Sequence, residues 1–107
     1  MESAIKAYKL AWKYRRAVEA QWKPRLPELQ ELDVFHRTYV AYENAETRAE
    51  WLCEEAGDLL LRVVSGRKPM PVHPDRAEFF VKCKNRRFVQ ALDAFVDAFV
   101  EADEGTG

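Results

Sequence analysis

The stretch from Glu28 to Ser65 constrains the fold most, because it holds no proline and its only glycine is Gly57. Its apolar residues recur at steps of three and four along the whole stretch. That spacing predicts one long helix, or two nearly continuous helices, with an apolar seam that faces other helices. The seam positions are Leu32, Phe35, Tyr39, Tyr42, Ala45, Ala49, Leu52, Ala56, Leu59 and Val63.

If it is unbroken, this segment is about 57 Å long at a rise of about 1.5 Å per residue. That is long for a chain of 107 residues, so two candidate break points have to be considered. The first is residues 44–47, because Thr47 and Glu50 have the spacing of a capping box. The second is Gly57, because glycine destabilises a helix interior by about 1 kcal/mol relative to alanine.

Prolines mark the end of the first helix. Apolar residues at helical spacing predict that this helix runs from Ser3 to Gln21. Pro24 and Pro27 follow it. Proline lacks a backbone donor and disfavours helix in the residue before it, so these two residues predict a turn.

The C-terminal part of the chain holds a second connection and the last helix. Residues 67–74 include three prolines and should be extended and stiff. The apolar pattern that follows predicts a helix, or a helix pair, from Pro74 to Asp103, with Asn85 as a candidate joint. Residues 104–107 should form a short disordered tail.

These elements predict an all-α fold. We expect a helical bundle of three to four helices around one long central helix, in a single domain that spans residues 1–107. Short connections favour antiparallel packing of the first and last helices against the long one.

The cysteines and the N-terminal charges indicate a cellular compartment. Cys53 and Cys83 lie inside apolar helical patterns, so we predict two reduced, buried thiols. The first 25 residues are rich in cations and do not form a signal peptide. No apolar run reaches the ~20 residues that a membrane span needs. We therefore expect a cytoplasmic protein that does not bind membranes.

The formal net charge is only −1, but the charges are distributed in blocks. Residues 1–25 and 67–87 each carry +5, residues 26–66 carry −6 and residues 88–107 carry −5. One interpretation is that the basic helices neutralise the acidic long helix and fix its pairing. The other is that a basic block faces an acidic partner. The densest basic cluster consists of Lys82, Lys84, Arg86 and Arg87.

The residues that carry metal or nucleophilic chemistry form no familiar pattern. His36, His73, Cys53 and Cys83 are not at metal-ligand spacing. Both cysteines lie at expected core positions, which does not favour a cysteine–histidine catalytic pair. The four glycines form no phosphate-binding loop. We therefore predict no metal, no cofactor and no catalytic activity.

Arg67 and His73 are separated by five residues. This pair resembles the Arg-x(4–6)-His motif of HEPN domains, which are small and all-helical and use the motif to cleave RNA. The resemblance covers these two residues only. This chain departs from the family pattern. In HEPN domains the motif lies at a helix start, whereas here Pro69, Pro71 and Pro74 hold the segment between Arg67 and His73 extended. What it implies is a further alternative, a small helical ribonuclease.

We expect a non-catalytic protein–protein interaction module. Tyr42, Trp51 and Leu60 lie off the seam or at its edge, so they are candidate anchors on a second apolar face. The expected partner is a second copy in a homo-dimer, the commonest assembly, or a specific heterologous protein. In the second case we expect an adaptor or a small inhibitor, such as one encoded by a phage or a mobile element. The alternative is a nucleic-acid-binding accessory protein that uses the basic cluster.

Overall fold

The computed structural model describes residues 1–106, and all regular secondary structure in that range is helical. Four helices pack as a small bundle, which confirms the predicted all-α class. A 3₁₀ turn, Lys23–Arg25, and a single helical turn lie between the first and second of them. The four helices of the bundle are α1, Glu2–Trp22; α3, Arg37–Val64; α4, Pro74–Val81; and α5, Arg86–Thr106, and the single turn, labelled α2, is Leu26–Leu29.

The long helix begins later than predicted. The expected helix from residue 28 was wrong at its start, because residues 30–36 form turns and α3 begins at Arg37. Side chains stabilise this break. Asp33 Oδ1 accepts a hydrogen bond from the Phe35 backbone N–H at 2.8 Å, and His36 Nδ1 accepts one from the Thr38 N–H at 3.1 Å. These bonds offer the backbone an alternative to helix, and they leave the predicted seam residue Phe35 86% exposed.

From its start at Arg37, α3 is continuous for 28 residues. This length corresponds to about 42 Å, in a molecule whose longest dimension is 51 Å. The helix passes through both candidate break points, Thr47 and Gly57, without interruption. It ends before Gly66, whose φ of 69° lies in the left-handed region that glycine tolerates.

α1 packs closely against two neighbours, α3 and α5. The Trp22 and Tyr42 ring centroids are 5.6 Å apart, and Tyr8 lies beside Gly57, so α1 runs antiparallel to α3. At the other side of α1, the Tyr14 and Phe88 ring centroids are 5.1 Å apart. Ser3 Oγ donates a hydrogen bond to Glu101 Oε2 at 2.5 Å, so α5 is also antiparallel to α1.

Small side chains explain the central place of α1. Its buried face holds the alanines Ala4, Ala7 and Ala11, each at most 3% exposed. Alanine lets two neighbouring helices approach α1 closely, whereas bulky residues hold helix axes apart. The predicted long helix is present as α3, and α1 is the helix that contacts both α3 and α5 most extensively.

Asn85 separates the last two helices, as predicted. Its Oδ1 accepts hydrogen bonds from the Arg87 and Phe88 backbone N–H groups, at 3.0 and 3.1 Å. This is the geometry of a helix N-cap. The predicted connection before α4 also holds, because residues 67–73 form no helix. α5 extends through residues 104–106, while Gly107 lies outside the described residues, so the predicted disordered tail stays a prediction.

Candidate functional site

Two of the predicted interface anchors make contacts within the chain. Tyr42 is half-buried, with its ring beside those of Trp22 and Tyr39. Trp51 is also half-buried: its ring centroid lies 5.3 Å from that of Phe79, and the Arg76 guanidinium carbon lies 4.9 Å from it. The second apolar face of α3 is therefore covered by α1 at one side and by α4 at the other.

Leu60, the third predicted anchor, lies in an open groove between α1 and α3. The groove has a volume of about 600 Å³. Tyr8 and Trp12, one helical turn apart, line it from α1, while Leu60 and Leu61 line it from α3. Leu61 is 65% exposed. We call this site the α1–α3 groove.

Gly57 lies in the same groove, opposite Tyr8. A Cβ atom added to Gly57 would lie 3.4 Å from Tyr8 Cε1, which is an ordinary van der Waals distance. Alanine would therefore fit between the two helices and would favour the helix by about 1 kcal/mol. Packing within the chain does not explain this glycine, and the sequence pattern indicated only a possible helix break.

The polar part of the groove is formed by Arg15 and Cys53. The Arg15 guanidinium carbon lies 4.9 Å from the Trp12 ring centroid, and Arg15 Nε lies 3.7 Å from Glu19 Oε1. Burial raises the pKa of the Cys53 thiol, and the Arg15 charge opposes this rise. The thiol is therefore protonated at neutral pH, which makes it a poor nucleophile. Both cysteines are free thiols, but Cys83 is only half-buried.

The two rims of the groove carry opposite charges. The α1 rim holds the exposed cation Arg16, whereas Lys9 lines a pocket with Gln90 of α5. The α3 rim holds Glu50, Glu54 and Asp58, which are also exposed. No ion pair within residues 1–106 crosses from one rim to the other.

The rim residues differ in whether a charge partner lies close to them. Glu54 lies 2.9 Å from Arg76, and Asp58 lies 3.0 Å from Arg62. Arg16 and Glu50 make no ion pair with any residue that the structure describes. These two side chains are therefore the unbalanced charges of the groove.

The basic cluster of residues 82–87 faces solvent. Lys82 lies 3.1 Å from Glu78, while Lys84, Arg86 and Arg87 are exposed and have no ion pair within the described part of the chain. The cluster does not neutralise α3. Within residues 1–106 only Arg76 forms an ion pair between helices, at 2.9 Å from Glu54 and 3.2 Å from Glu55.

One cation is enclosed in the bundle. The Arg48 guanidinium carbon lies 4.9 Å from the Phe79 ring centroid and 5.5 Å from that of Phe88. Burial raises the pKa of Tyr14, and Arg48 opposes this rise. Cation–π contact stabilises such a charge. Sequence reasoning missed this residue, because an arginine on an acidic helix resembles any other surface charge.

Arg67 and His73 lie in different surroundings. Arg67 lines a pocket with Met1, Ser3 and other residues near the start of α1. His73 is the N-cap of α4, and its Nδ1 accepts a hydrogen bond from the Asp75 N–H at 3.1 Å. The helix predicted to begin at Pro74 thus has His73 as its N-cap, but the ribonuclease hypothesis stays a prediction without a contact that favours it.

Residues 1–106 hold no group of three or more histidine, cysteine, aspartate or glutamate side chains that could bind a metal ion. None of the helices described in that range is both long enough and apolar enough to span a membrane.

No protein-family model, curated protein or solved structure matches this chain. Function is therefore inferred from the groove and from the charges around it.

Proposed function

We propose that the chain is a non-catalytic protein-interaction module that binds its partner in the α1–α3 groove. The observation that supports this proposal is the apolar lining of an open groove, with Leu61 65% exposed beside it. Covering such a surface on binding removes apolar area from water, which is favourable by about 25 cal/mol per Å². Contiguous exposed apolar surface is typical of interaction sites.

The shape of the groove fits a helical partner. Its walls are two antiparallel helices, and Gly57 leaves the middle of one wall without a side chain. Such a groove accommodates an amphipathic helix with its apolar face inward. A second copy of the chain or a specific foreign protein could supply that helix, the latter if the chain is an adaptor or a small inhibitor. The cytoplasm is part of this proposal, because both cysteines are free thiols.

Leu61→Glu tests the groove. Light scattering of the wild-type chain at micromolar concentration should report association, and the glutamate should weaken it at least tenfold by placing a charge in an apolar contact. The matched control is Val96→Glu, because Val96 is 47% exposed on α5, away from the groove. The proposal predicts that this control associates as the wild type does.

The same pair of variants tests a foreign partner. If the chain is a monomer, a protein that it captures from a lysate should bind Val96→Glu and not Leu61→Glu. Equal behaviour of the two variants, in association and in capture, would contradict the proposed site.

Nucleic-acid binding is the second candidate function, and the unpaired cations of the basic cluster favour it. Lys84, Arg86 and Arg87 lie at the start of α5 or just before it. Arg86 and Arg87 line a pocket whose other wall is formed by residues of α1. The outer face of α1 is basic as well. Its exposed cations are Lys6, Lys9, Lys13 and Arg16.

Salt dependence tests this second candidate. Fluorescence anisotropy with a labelled oligonucleotide should show binding at ~50 mM salt that weakens steeply as salt rises. Arg87→Glu should reduce both the affinity and the salt dependence. Lys68→Glu is the control, because Lys68 is exposed and follows the C-terminal end of α3, at the opposite end of the bundle from Arg87. No binding at ~50 mM salt would exclude this function.

A further inference from the structure

We propose that the α1–α3 groove binds a second copy of this chain, in a two-fold dimer whose axis runs parallel to α1 and α3. The dimer rests on the proposed function, to which it adds a partner and an orientation. Three properties of the groove support it: opposite charges on its rims, the register of its two helices, and a glycine that packing within the chain does not explain.

The opposite rims select one of two symmetric arrangements. Two copies that meet face to face can be related by an axis parallel to the helices or by an axis across them. An axis across the helices places α1 on α1, so that the basic rim with Arg16 faces the same rim of the other copy. A parallel axis places α1 of each copy on α3 of the other, so that basic rims meet acidic rims. Like charges at an interface are unfavourable and opposite charges fix orientation, which favours the parallel axis.

The register of the helices then defines the pairs across the interface. Within the chain Tyr8 lies opposite Gly57, and Trp22 lies opposite Tyr42. Rotation about an axis parallel to the helices leaves the height of each residue unchanged. Arg16 of one copy therefore comes to the height of Glu50 in the other. These are the two rim residues without an ion pair in the described chain, so each copy offers the charge that the other lacks.

Gly57 lies where the second copy approaches most closely. The same rotation brings the first half of α1 from one copy over Gly57 of the other, at the height of Tyr8. The absence of a Cβ there allows close approach of a helix. This contact accounts for a glycine at a position where alanine would fit the single chain, 3.4 Å from Tyr8 Cε1.

The size of the face sets the expected affinity. α1 has 21 residues and is about 32 Å long, and two adjacent helices are about 20 Å wide. The face therefore measures about 600 Å² per copy, near the lower limit for stable interfaces. We expect a dimer with a micromolar dissociation constant, so concentrations from about 1 to 200 µM should resolve it.

Charge exchange between Arg16 and Glu50 tests the orientation. Sedimentation equilibrium of the full chain should give a dissociation constant that rises at least about tenfold in Arg16→Glu and in Glu50→Arg, because each change creates two like-charge pairs in a symmetric dimer. The double variant restores both pairs and should bind within about threefold of the wild type. Lys84→Glu reverses an exposed charge away from the groove and should leave the constant unchanged.

Each result supports or overturns a distinct statement. If Leu61→Glu disrupts the dimer but the double variant does not recover it, the groove is the interface and the parallel axis is wrong. If the wild type stays monomeric to about 200 µM, the second copy is excluded, and the proposed function is then decided by partner capture with Leu61→Glu and Val96→Glu. If Val96→Glu disrupts the dimer and Leu61→Glu does not, both proposals fail.

Discussion

Glu55 shows how burial outweighs an ion pair at a single residue. Its side chain is only 20% exposed, and its carboxylate lies 3.2 Å from Arg76. Burial raises the pKa of Glu55, although the Arg76 charge opposes the rise. The folded state therefore binds this proton more tightly than the unfolded chain does.

Glu55→Gln should remove one component of the pH dependence of stability. Because the folded-state pKa is raised, the stability that Glu55 contributes is present below its unfolded pKa and is lost as pH rises through the folded pKa. We expect the free energy of unfolding of the wild type, relative to that of Glu55→Gln, to fall as pH rises above the ordinary glutamate pKa of about 4.3. Urea titrations at several pH values measure this difference.

Glu54→Gln is the control for the ion pair, because Glu54 lies 2.9 Å from the same Arg76 but is 50% exposed. It measures the loss of one contact to Arg76, which for an exposed pair is at most about 1 kcal/mol. Parallel curves for the wild type and Glu55→Gln over the whole pH range would show that burial does not control Glu55.

Gly57→Ala should separate stability from association. The added methyl group makes an ordinary contact with Tyr8, and alanine favours the helix, so the free energy of unfolding should rise by about 0.5–1 kcal/mol. Urea unfolding in the Leu61→Glu background, where the groove is blocked, measures this gain. In the otherwise wild-type chain the same methyl group should weaken the dimer.

Gly105→Ala is the matched control, because Gly105 lies in α5 with nothing within 4 Å of an added Cβ. It should leave the dimer unchanged. A Gly57→Ala chain that is more stable and dimerises as the wild type does would mean that no partner approaches this residue.

At the scale of elements, the sequence predicted the helix boundaries that local chemistry determines. Pro74 and Asn85 act within one turn of the chain, and the structure places the boundaries of α4 and α5 beside them. The break at residues 30–36 was missed because it contains neither proline nor glycine and continues the apolar spacing. Its causes are the side-chain hydrogen bonds of Asp33 and His36, two residue types that also occur inside helices.

Asn85→Ala should destabilise the joint between α4 and α5. The Asn85 side chain accepts two backbone hydrogen bonds at the start of α5, and loss of an N-cap costs about 1 kcal/mol. Urea unfolding should show this loss, while Asn85→Asp should retain most of the stability. Asn44→Ala, an exposed change inside α3, is the control and should not destabilise. Equal stability of Asn85→Ala and the wild type would contradict the capping role.

The candidate site was predictable only in part, because it depends on how helices meet. Leu60 lies in the groove, but Tyr42 and Trp51 are covered by α1 and α4. Helical spacing shows that these side chains share a second face, but it does not show which helix covers that face. Gly57 was considered only as a break, since its role depends on its distance from Tyr8.

At the scale of the whole molecule, the central place of α1 determines how the bundle holds together. α1 lies between α3 and α5, which contact each other little, and α4 packs on α3. The sequence indicated the longest helix as the centre because its apolar pattern is the longest. Ala4, Ala7 and Ala11 are small, so each buries little apolar area. The same small size allows two helices to approach α1 closely.

This arrangement predicts the order in which the helices open. Separation of α1 removes the α1–α3 and α1–α5 interfaces together, so α1 should open only when the whole bundle unfolds. α4 has eight residues and packs mainly on one neighbour, so it should open locally. Native-state hydrogen exchange of the Leu61→Glu chain should give a free energy of opening for the amides of residues 7–18 that equals the global value from urea. The amides of α4 should exchange with a smaller free energy. Using Leu61→Glu prevents dimer formation from protecting α1. If the amides of residues 7–18 exchange well below the global value while those of residues 49–59 match it, then α3 and not α1 is the element on which the bundle depends.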